Sequence, residues 1–121
     1  MVKNVKDKII NTLKPLGLNP KAQGSYESSE HLPDSFVTFY IPDSEVLKSY
    51  NNKPQKIGYT ININYYSVKM SDINTMPDEI FEAMISAGFT AAGVGFDGGL
   101  DKDTGRYGWF MDFYYVEERS Y

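Results

Sequence analysis

Apolar residues near the start of the chain recur at the spacing of one helix face. Their spacing of three and four predicts an amphipathic helix over residues 2–14, laid on a sheet. Pro15 and Gly17 predict that this helix ends there. The predicted apolar face consists of Val2, Val5, Ile9, Ile10, Leu13 and Leu16.

Two segments that follow are predicted to be strands. Residues 35–43 are dense in aromatic and β-branched side chains, and Pro42 is expected to end that strand. Residues 56–68 alternate, which predicts one buried face and one outward face. The buried positions are Ile57, Tyr59, Ile61, Ile63 and Tyr65, and the outward ones are Gly58, Thr60, Asn62 and Asn64. A further short strand is predicted near residues 22–28.

The connection between those two strands, residues 44–55, is polar and contains an Asn-Asn-Lys-Pro turn signal. It is long for a tight hairpin, and long excursions from compact domains are often functional. We therefore interpret it as an extended loop that carries candidate contact residues.

A second helix is predicted within residues 71–89. Thr75 is expected to cap it, Pro77 lies in its first turn, and Gly88 is expected to stop it. Its predicted apolar face consists of Met76, Ile80, Phe81, Met84 and Ile85.

Residues 89–97 and 106–118 are predicted to form two more strands. One side of the last strand carries Tyr107, Trp109, Met111, Phe113 and Tyr115, and the other carries Phe110, Asp112 and Tyr114. The element order α-β-β-α-β-β predicts an α+β fold, in which two helices pack on one face of a mainly antiparallel sheet of four or five strands. The length of 121 residues predicts a single domain, residues 1–121.

The composition narrows the classes of function. A net charge of −4 and a pI of about 4.9 argue against a protein that binds duplex DNA, which needs a basic face. The chain has no cysteine, so a disulfide framework, a thiolate zinc site and a cysteine nucleophile are excluded. We also expect no membrane association, because no apolar run approaches the length of a membrane span.

Three aspartates and three glycines are concentrated in residues 97–106, between the last two predicted strands. A calcium loop of the EF-hand type needs glycine at its sixth position. The sixth residue is Lys102 when counted from Asp97 and Arg106 when counted from Asp101, so neither register fits. We interpret the segment as a hairpin loop, in which Gly and Asp supply unusual backbone angles, and not as a metal site.

No set of residues with catalytic spacing emerges. His31 is the only histidine, and it falls in a predicted loop without a nucleophile elbow or an oxyanion motif. Residues 93–98, "GVGFDG", have neither the spacing nor the following helix of a dinucleotide-binding loop. We therefore expect that the protein is not an enzyme and that it holds no cofactor and no metal.

Several segments together resemble a known family. They are the first helix, residues 5–18, the strand "YTININYYS", the helix end "AMISAGF" and the turn and strand "DKDTGRYGWFMDFYY". In this order they resemble tail terminators, the tail-completion or head–tail joining proteins of long-tailed phages and prophages of Gram-positive bacteria. The resemblance covers most of the chain, and it implies an α+β fold with a sheet backed by two helices.

The resemblance also implies a function in virion assembly. Such proteins form a homo-oligomeric ring, usually six-fold, that caps the finished tail tube and offers a surface to the head–tail connector or stopper protein. The implied partners are therefore other copies of the chain, the tail tube protein and the connector, with DNA only passing through the lumen. The implied location is the virion, at the tail or head–tail junction, and the bacterial host cytoplasm during assembly. The family offers no catalytic residues.

Two loops and the aromatic strand faces supply the candidate interface for such a ring. The candidates are Tyr50, Asn51, Asn52, Lys53, Gln55, Tyr66, Asp101, Lys102, Asp103, Arg106, Phe110 and Tyr114. The alternative hypothesis is a monomeric acidic binding module, such as an immunity or inhibitor-like protein whose charge suits a basic enzyme. A small hydrolase is the third hypothesis.

Overall fold

The computed structural model describes residues 2–18, 20–22 and 33–119. Within these ranges the chain forms helices and strands in the predicted order α-β-β-α-β-β, with three short additions. The helices are α1 (Val2–Leu13), α2 (Met70–Ile73) and α3 (Met76–Ser86), and a 3₁₀ turn (Lys14–Leu16) follows α1. The strands are β1 (Lys21–Ala22), β2 (Ser35–Tyr50), β3 (Lys53–Ser67), β4 (Thr90–Ala91), β5 (Phe96–Asp101) and β6 (Arg106–Glu118).

The strands form one sheet in the order β1-β2-β3-β6-β4. β5 also pairs with β6, on the edge that β4 occupies further along, because β3 lines the whole opposite edge. All neighbours are antiparallel except β1, which runs parallel to β2 over two residues. The predicted α+β class with a mainly antiparallel sheet is therefore confirmed.

The hydrophobic core lies between one face of the sheet and the helices. The predicted face of β3 is fully buried, and so are Met111 and Phe113 of β6. The helices contribute Val5, Ile9, Leu13, Ile80 and Met84, each at most 1% exposed. Burying a side chain of this kind stabilises the fold by about 1.5–3 kcal/mol. Ile85 was predicted on the same helix face but is 39% exposed, because it follows Met84 around the helix and points away from the sheet.

Glycines end both long helices as predicted, but the predicted cap does not form. Gly17 and Gly88 have φ angles of 78° and 98°, in the left-handed region that favours glycine. The hydroxyl of Thr75 instead donates to the carbonyl oxygen of Ser71 at 3.3 Å. This happens because the extra helix α2 ends just before Thr75, which places that carbonyl within reach.

The interpretation of residues 44–55 as a long loop is wrong. β2 continues through Tyr50, and Lys53 already pairs with Tyr50, so only Asn51 and Asn52 form the turn. Both asparagines have positive φ angles, 51° and 61°, as in the type I′ turn that suits the twist of a hairpin. Pro42 does not end β2 either. It lies within a register shift between Tyr40 and Asp43, where a strand tolerates a missing N–H donor.

The segment after α3 also differs from its prediction. Residues 89–97 form not one strand but the short β4 and the start of β5, separated by residues 92–95. Gly93 and Gly95 interrupt the pairing with φ angles of 151° and 93°. β5 takes up half of the predicted loop 97–106, so the hairpin turn proper is residues 102–105. Of the predicted strand 22–28, the structure describes only its first residue, within β1.

Candidate assembly surface

The far half of the β2–β3 hairpin, residues 46–55, is called the arm here. Its apolar residues Val46, Leu47 and Tyr50 are between 45% and 63% exposed. Among the described residues, no strand pairs with the outer edge of β2 beyond Phe39. The arm holds five of the predicted contact residues: Tyr50, Asn51, Asn52, Lys53 and Gln55. The structure thus brings these five together on a protruding hairpin.

The base of the arm is fixed to the rest of the sheet. The hydroxyl of Tyr114 donates to Oε1 of Glu45 at 3.0 Å, which links β6 to β2 across the intervening β3. Burial of the Tyr114 hydroxyl, with the neighbouring carboxylate of Glu45, raises its pKa. Lys56 of β3 forms a salt bridge with Glu118 of β6 at 3.3 Å. Tyr114, a predicted contact residue, therefore holds the arm in place.

The helix-free face of the sheet carries four rings in contact, called the aromatic row here: Phe36, Tyr66, Phe110 and Phe96. Phe36 stacks on Tyr66 with centroids 5.0 Å apart, and Tyr66 meets Phe110 edge-on at 5.8 Å. Phe110 in turn meets Phe96 edge-on at 5.5 Å. Each such pair contributes about 0.5–1.5 kcal/mol beyond its buried area. The predicted contact residues Tyr66 and Phe110 therefore tie β2, β3, β6 and β5 together.

Arg106 lies at the end of the aromatic row. Its guanidinium group donates from Nε and Nη2 to the carbonyl oxygen of Pro33, at 3.0 and 2.8 Å. The same group lies 5.9 Å from the centre of the Phe36 ring, a distance at which cation–π attraction acts. Arg106 therefore fastens the chain before β2 to the turn before β6, instead of pointing outward as a contact residue.

Aspartate side chains stabilise both β5 and the turn that follows it. Oδ1 of Asp97 accepts from the N–H of Gly99 at 2.7 Å, and Oδ1 of Asp101 accepts from the N–H of Asp103 at 3.0 Å. Such side-chain to backbone bonds are what favours aspartate in turns. The predicted contact residues Asp101, Lys102 and Asp103 are all exposed at this turn.

The predicted contact residues form two groups and not one site. β3 and β6 are paired from Ser67 and Tyr107 at one end to Lys56 and Glu118 at the other. The arm tip lies beyond the second end and the β5–β6 turn beyond the first. At about 3.3 Å for each strand residue, the paired stretch alone spans roughly 40 Å, and the two groups lie at its opposite ends. A partner that touches both groups must be large, or there must be two partners.

A third exposed surface was missed by the sequence reasoning. Residues 94–103, called the β5 edge here, carry Val94, Phe96 and Leu100, which are between 50% and 73% exposed. β5 pairs only with β6, so within the described part of the chain its other edge has no strand partner. Val94 and Phe96 fall within the predicted strand 89–97, and Leu100 falls within the predicted loop 97–106, so the sequence did not indicate that the three residues share one exposed edge.

The open face also carries a polar contact. Nδ2 of Asn62 donates to Oδ1 of Asp112 at 2.7 Å in the middle of β3 and β6. In the described ranges, no three side chains of the metal-binding types gather where they would hold an ion. His31 lies outside the described residues.

No protein-family model matches the chain, and a search of curated proteins found no significant match. None of the helices in residues 2–18, 20–22 and 33–119 combines the length and the apolar character needed to cross a membrane.

Proposed function

We propose that this protein is a structural subunit of a phage tail, a tail terminator that assembles with copies of itself into a ring. One observation carries the proposal: both outer edges of the sheet expose apolar side chains and lack a strand partner among the described residues. One edge is the arm, and the other is the β5 edge. Exposed apolar groups on an unpaired sheet edge favour association with another chain.

The position of the two edges favours a ring over a two-fold dimer. A dimer uses the same surface on both copies, whereas contact between two different surfaces leaves each copy able to bind a neighbour on either side. Such contacts close into a ring when the rotation between neighbours is suitable. The six-fold number comes from the resemblance to tail terminators.

The two ends of such a ring suit the other partners of a tail terminator. We assign one end to the tail tube protein and the other end to the head–tail connector or stopper. The net charge of −4 suits a lumen through which DNA passes without binding, because phosphates find few cationic partners. The protein would then reside at the head–tail junction of the virion, after assembly in the bacterial host cytoplasm.

A monomeric binding module of the immunity or inhibitor type is the second candidate function. The observation that favours it is the exposed aspartate group Asp97, Asp101 and Asp103 on one edge of the sheet. A cluster of this kind would attract a basic enzyme and speed its association at low salt.

The first experiment is the mass of the purified protein in solution, by light scattering across a concentration series. The same series is repeated with purified tail tubes from candidate phages, followed by electron microscopy of the tube ends. A six-fold mass, or a ring at the tube end, would support the tail terminator. A monomer at every concentration with bare tube ends would contradict it and favour the binding module.

A further inference from the structure

We propose, on the premise of that ring, that the arm of one copy docks against the β5 edge of the next copy. The ring contact would then join residues 46–55 of one subunit to residues 94–103 of its neighbour. Each subunit offers the arm on one side and the β5 edge on the other, so every contact in the ring is the same.

The apolar residues of the two surfaces match in number and character. Val46, Leu47 and Tyr50 of the arm face solvent in a single chain, as do Val94, Phe96 and Leu100 of the β5 edge. Aliphatic and tyrosine side chains on one surface meet aliphatic and phenylalanine side chains on the other. Removing both sets from water is favourable in proportion to the apolar area that is covered.

The charges of the two surfaces are opposite. The arm contains two lysines, Lys48 and Lys53, and no acidic residue, which gives a net charge of +2. The β5 edge contains three aspartates and one lysine, which gives a net charge of −2. Complementary charge draws unlike surfaces together, whereas like charges brought face to face cost several kcal/mol. The charges therefore disfavour an arm-to-arm or an edge-to-edge dimer and favour the head-to-tail contact.

The shape of the two edges indicates contact through side chains more than through a continued sheet. β2 has register shifts between Val46 and Lys48 and between Lys48 and Ser49, and β5 has one between Asp97 and Gly99. Such irregularities, together with a lysine on the edge, prevent long regular pairing with any passing strand. Selectivity would then come from the apolar residues and the surrounding charges.

Cross-linking between engineered cysteines tests this contact directly, because the natural chain has none. Two single variants, Val46→Cys and Leu100→Cys, are purified separately and treated with a short bismaleimide, alone and mixed. We expect a covalent dimer in the mixture and little in either variant alone. The double variant should give a ladder that ends at the subunit number of the ring. The matched control is Met70→Cys, on an exposed residue of α2, which should not cross-link with either variant.

The cross-linking results distinguish the proposed contact from the alternatives. Dimers of Val46→Cys alone would indicate an arm-to-arm contact and overturn the proposal, and so would the absence of a mixed dimer. If the mixed dimer is absent while light scattering shows a ring mass, the ring stands and its interface lies elsewhere. If neither the mixed dimer nor a ring mass is found, alone or with tail tubes, the proposed function fails as well.

Charge reversal provides an independent readout. The variant Lys48→Glu/Lys53→Glu should shift the ring to smaller species, and combining it with Asp101→Lys/Asp103→Lys should restore the ring mass. Reversal of exposed charges on the helix layer, Lys14→Glu and Glu82→Lys, serves as the control and should leave the mass unchanged. Failure of the combined variant to regain the ring, while each pair alone still folds, would count against charge pairing between the two surfaces.

Discussion

The ring of Tyr114 lies across Gly58, and its hydroxyl reaches Glu45 on the strand beyond. A Cβ atom at position 58 would overlap with the hydroxyl oxygen of Tyr114. The φ angle of Gly58 is not in the left-handed region, so the space itself and not the backbone requires glycine there. The absence of a side chain at this position allows β2, β3 and β6 to be joined at the base of the arm.

We expect that Gly58→Ala lowers the unfolding temperature by roughly 5 °C, because the Tyr114 side chain must move and lose its bond to Glu45. Thermal unfolding followed by circular dichroism measures this. The control is the same substitution in a Tyr114→Ser background, where the clash is gone and Gly58→Ala should have little effect. An equal loss in both backgrounds would show that the cost does not arise from the ring of Tyr114.

The two-residue turn of the arm gives a second prediction. Alanine at Asn51 or Asn52 should lower the free energy of unfolding by roughly 1 kcal/mol, because a left-handed backbone is costly for residues with an ordinary side chain. Asn52→Gly should be at least as stable as the natural chain, since glycine is preferred at the second position of a type I′ turn. Urea unfolding measures these differences. Asn11→Ala, on the exposed side of α1, is the control and should cause no loss. Equal stability of the alanine and glycine variants would contradict the turn geometry.

The free energy of unfolding should depend on pH in alkaline solution. Burial raises the pKa of Tyr59, of Tyr65 and of Tyr66 above the ordinary tyrosine value. Above about pH 10 the unfolded chain releases these protons while the folded chain still binds them, so alkali favours unfolding. We expect a constant free energy of unfolding from neutral pH to about pH 9.5 and a fall at higher pH.

Urea unfolding in a pH series measures this fall. Tyr65→Phe should reduce its slope, because one raised pKa is removed. The matched control is Ile63→Val, which lowers stability by about 0.5–1.5 kcal/mol without removing a titrating group and should leave the slope unchanged. A slope that is the same in Tyr65→Phe and in the natural chain would rule out Tyr65 as a source of the alkaline instability.

The aromatic row gives a fourth prediction. Phe110 touches both Tyr66 and Phe96, and its ring covers Gly98 and Gly108, so Phe110→Leu should lower the free energy of unfolding by about 1–2 kcal/mol. The same change at Phe96, which is 59% exposed and contacts one ring, should cost less than half as much. Urea unfolding of both variants provides the comparison. A larger loss at Phe96 would mean that the row is not centred on Phe110.

The sequence predicted those elements whose residues are buried on one side only. Ile61 and Ile63 alternate with Thr60 and Asn62 because the helices cover one face of β3 and leave the other partly exposed. Asn64 was predicted on that second face as an outward residue, but it is buried, with 5% of its surface exposed. The difference between the two faces appears in the sequence as alternating apolar and polar residues. Such alternation predicts a strand without any knowledge of the strands that pair with it. The class of the fold and the faces of β3, β6 and α1 followed from it.

The arm and the β5 edge could not be predicted in the same way. Residues 44–50 have no buried face, so their side chains show no apolar alternation, and pairing with β3 alone makes them a strand. β5 contains Gly98 and Gly99, which have low strand propensity, and it is extended because β6 lies beside it. The contact between the rings of Tyr66 and Phe110 likewise depends on the register in which β3 pairs with β6. The sequence of one strand alone does not determine that register.

The place of β6 in the sheet has a consequence for the synthesis of the protein. β6 follows every other strand in sequence, yet it lies between β3 on one side and β4 and β5 on the other. On the ribosome, the β2–β3 hairpin can form early, but one whole edge of β3 stays open until β6 has emerged. The sheet is therefore completed only after β6 has left the exit tunnel, and pairings so distant in sequence form slowly. A chain in which β6 has not yet formed would expose the unpaired edge of β3, which makes it a natural target for chaperones and proteases.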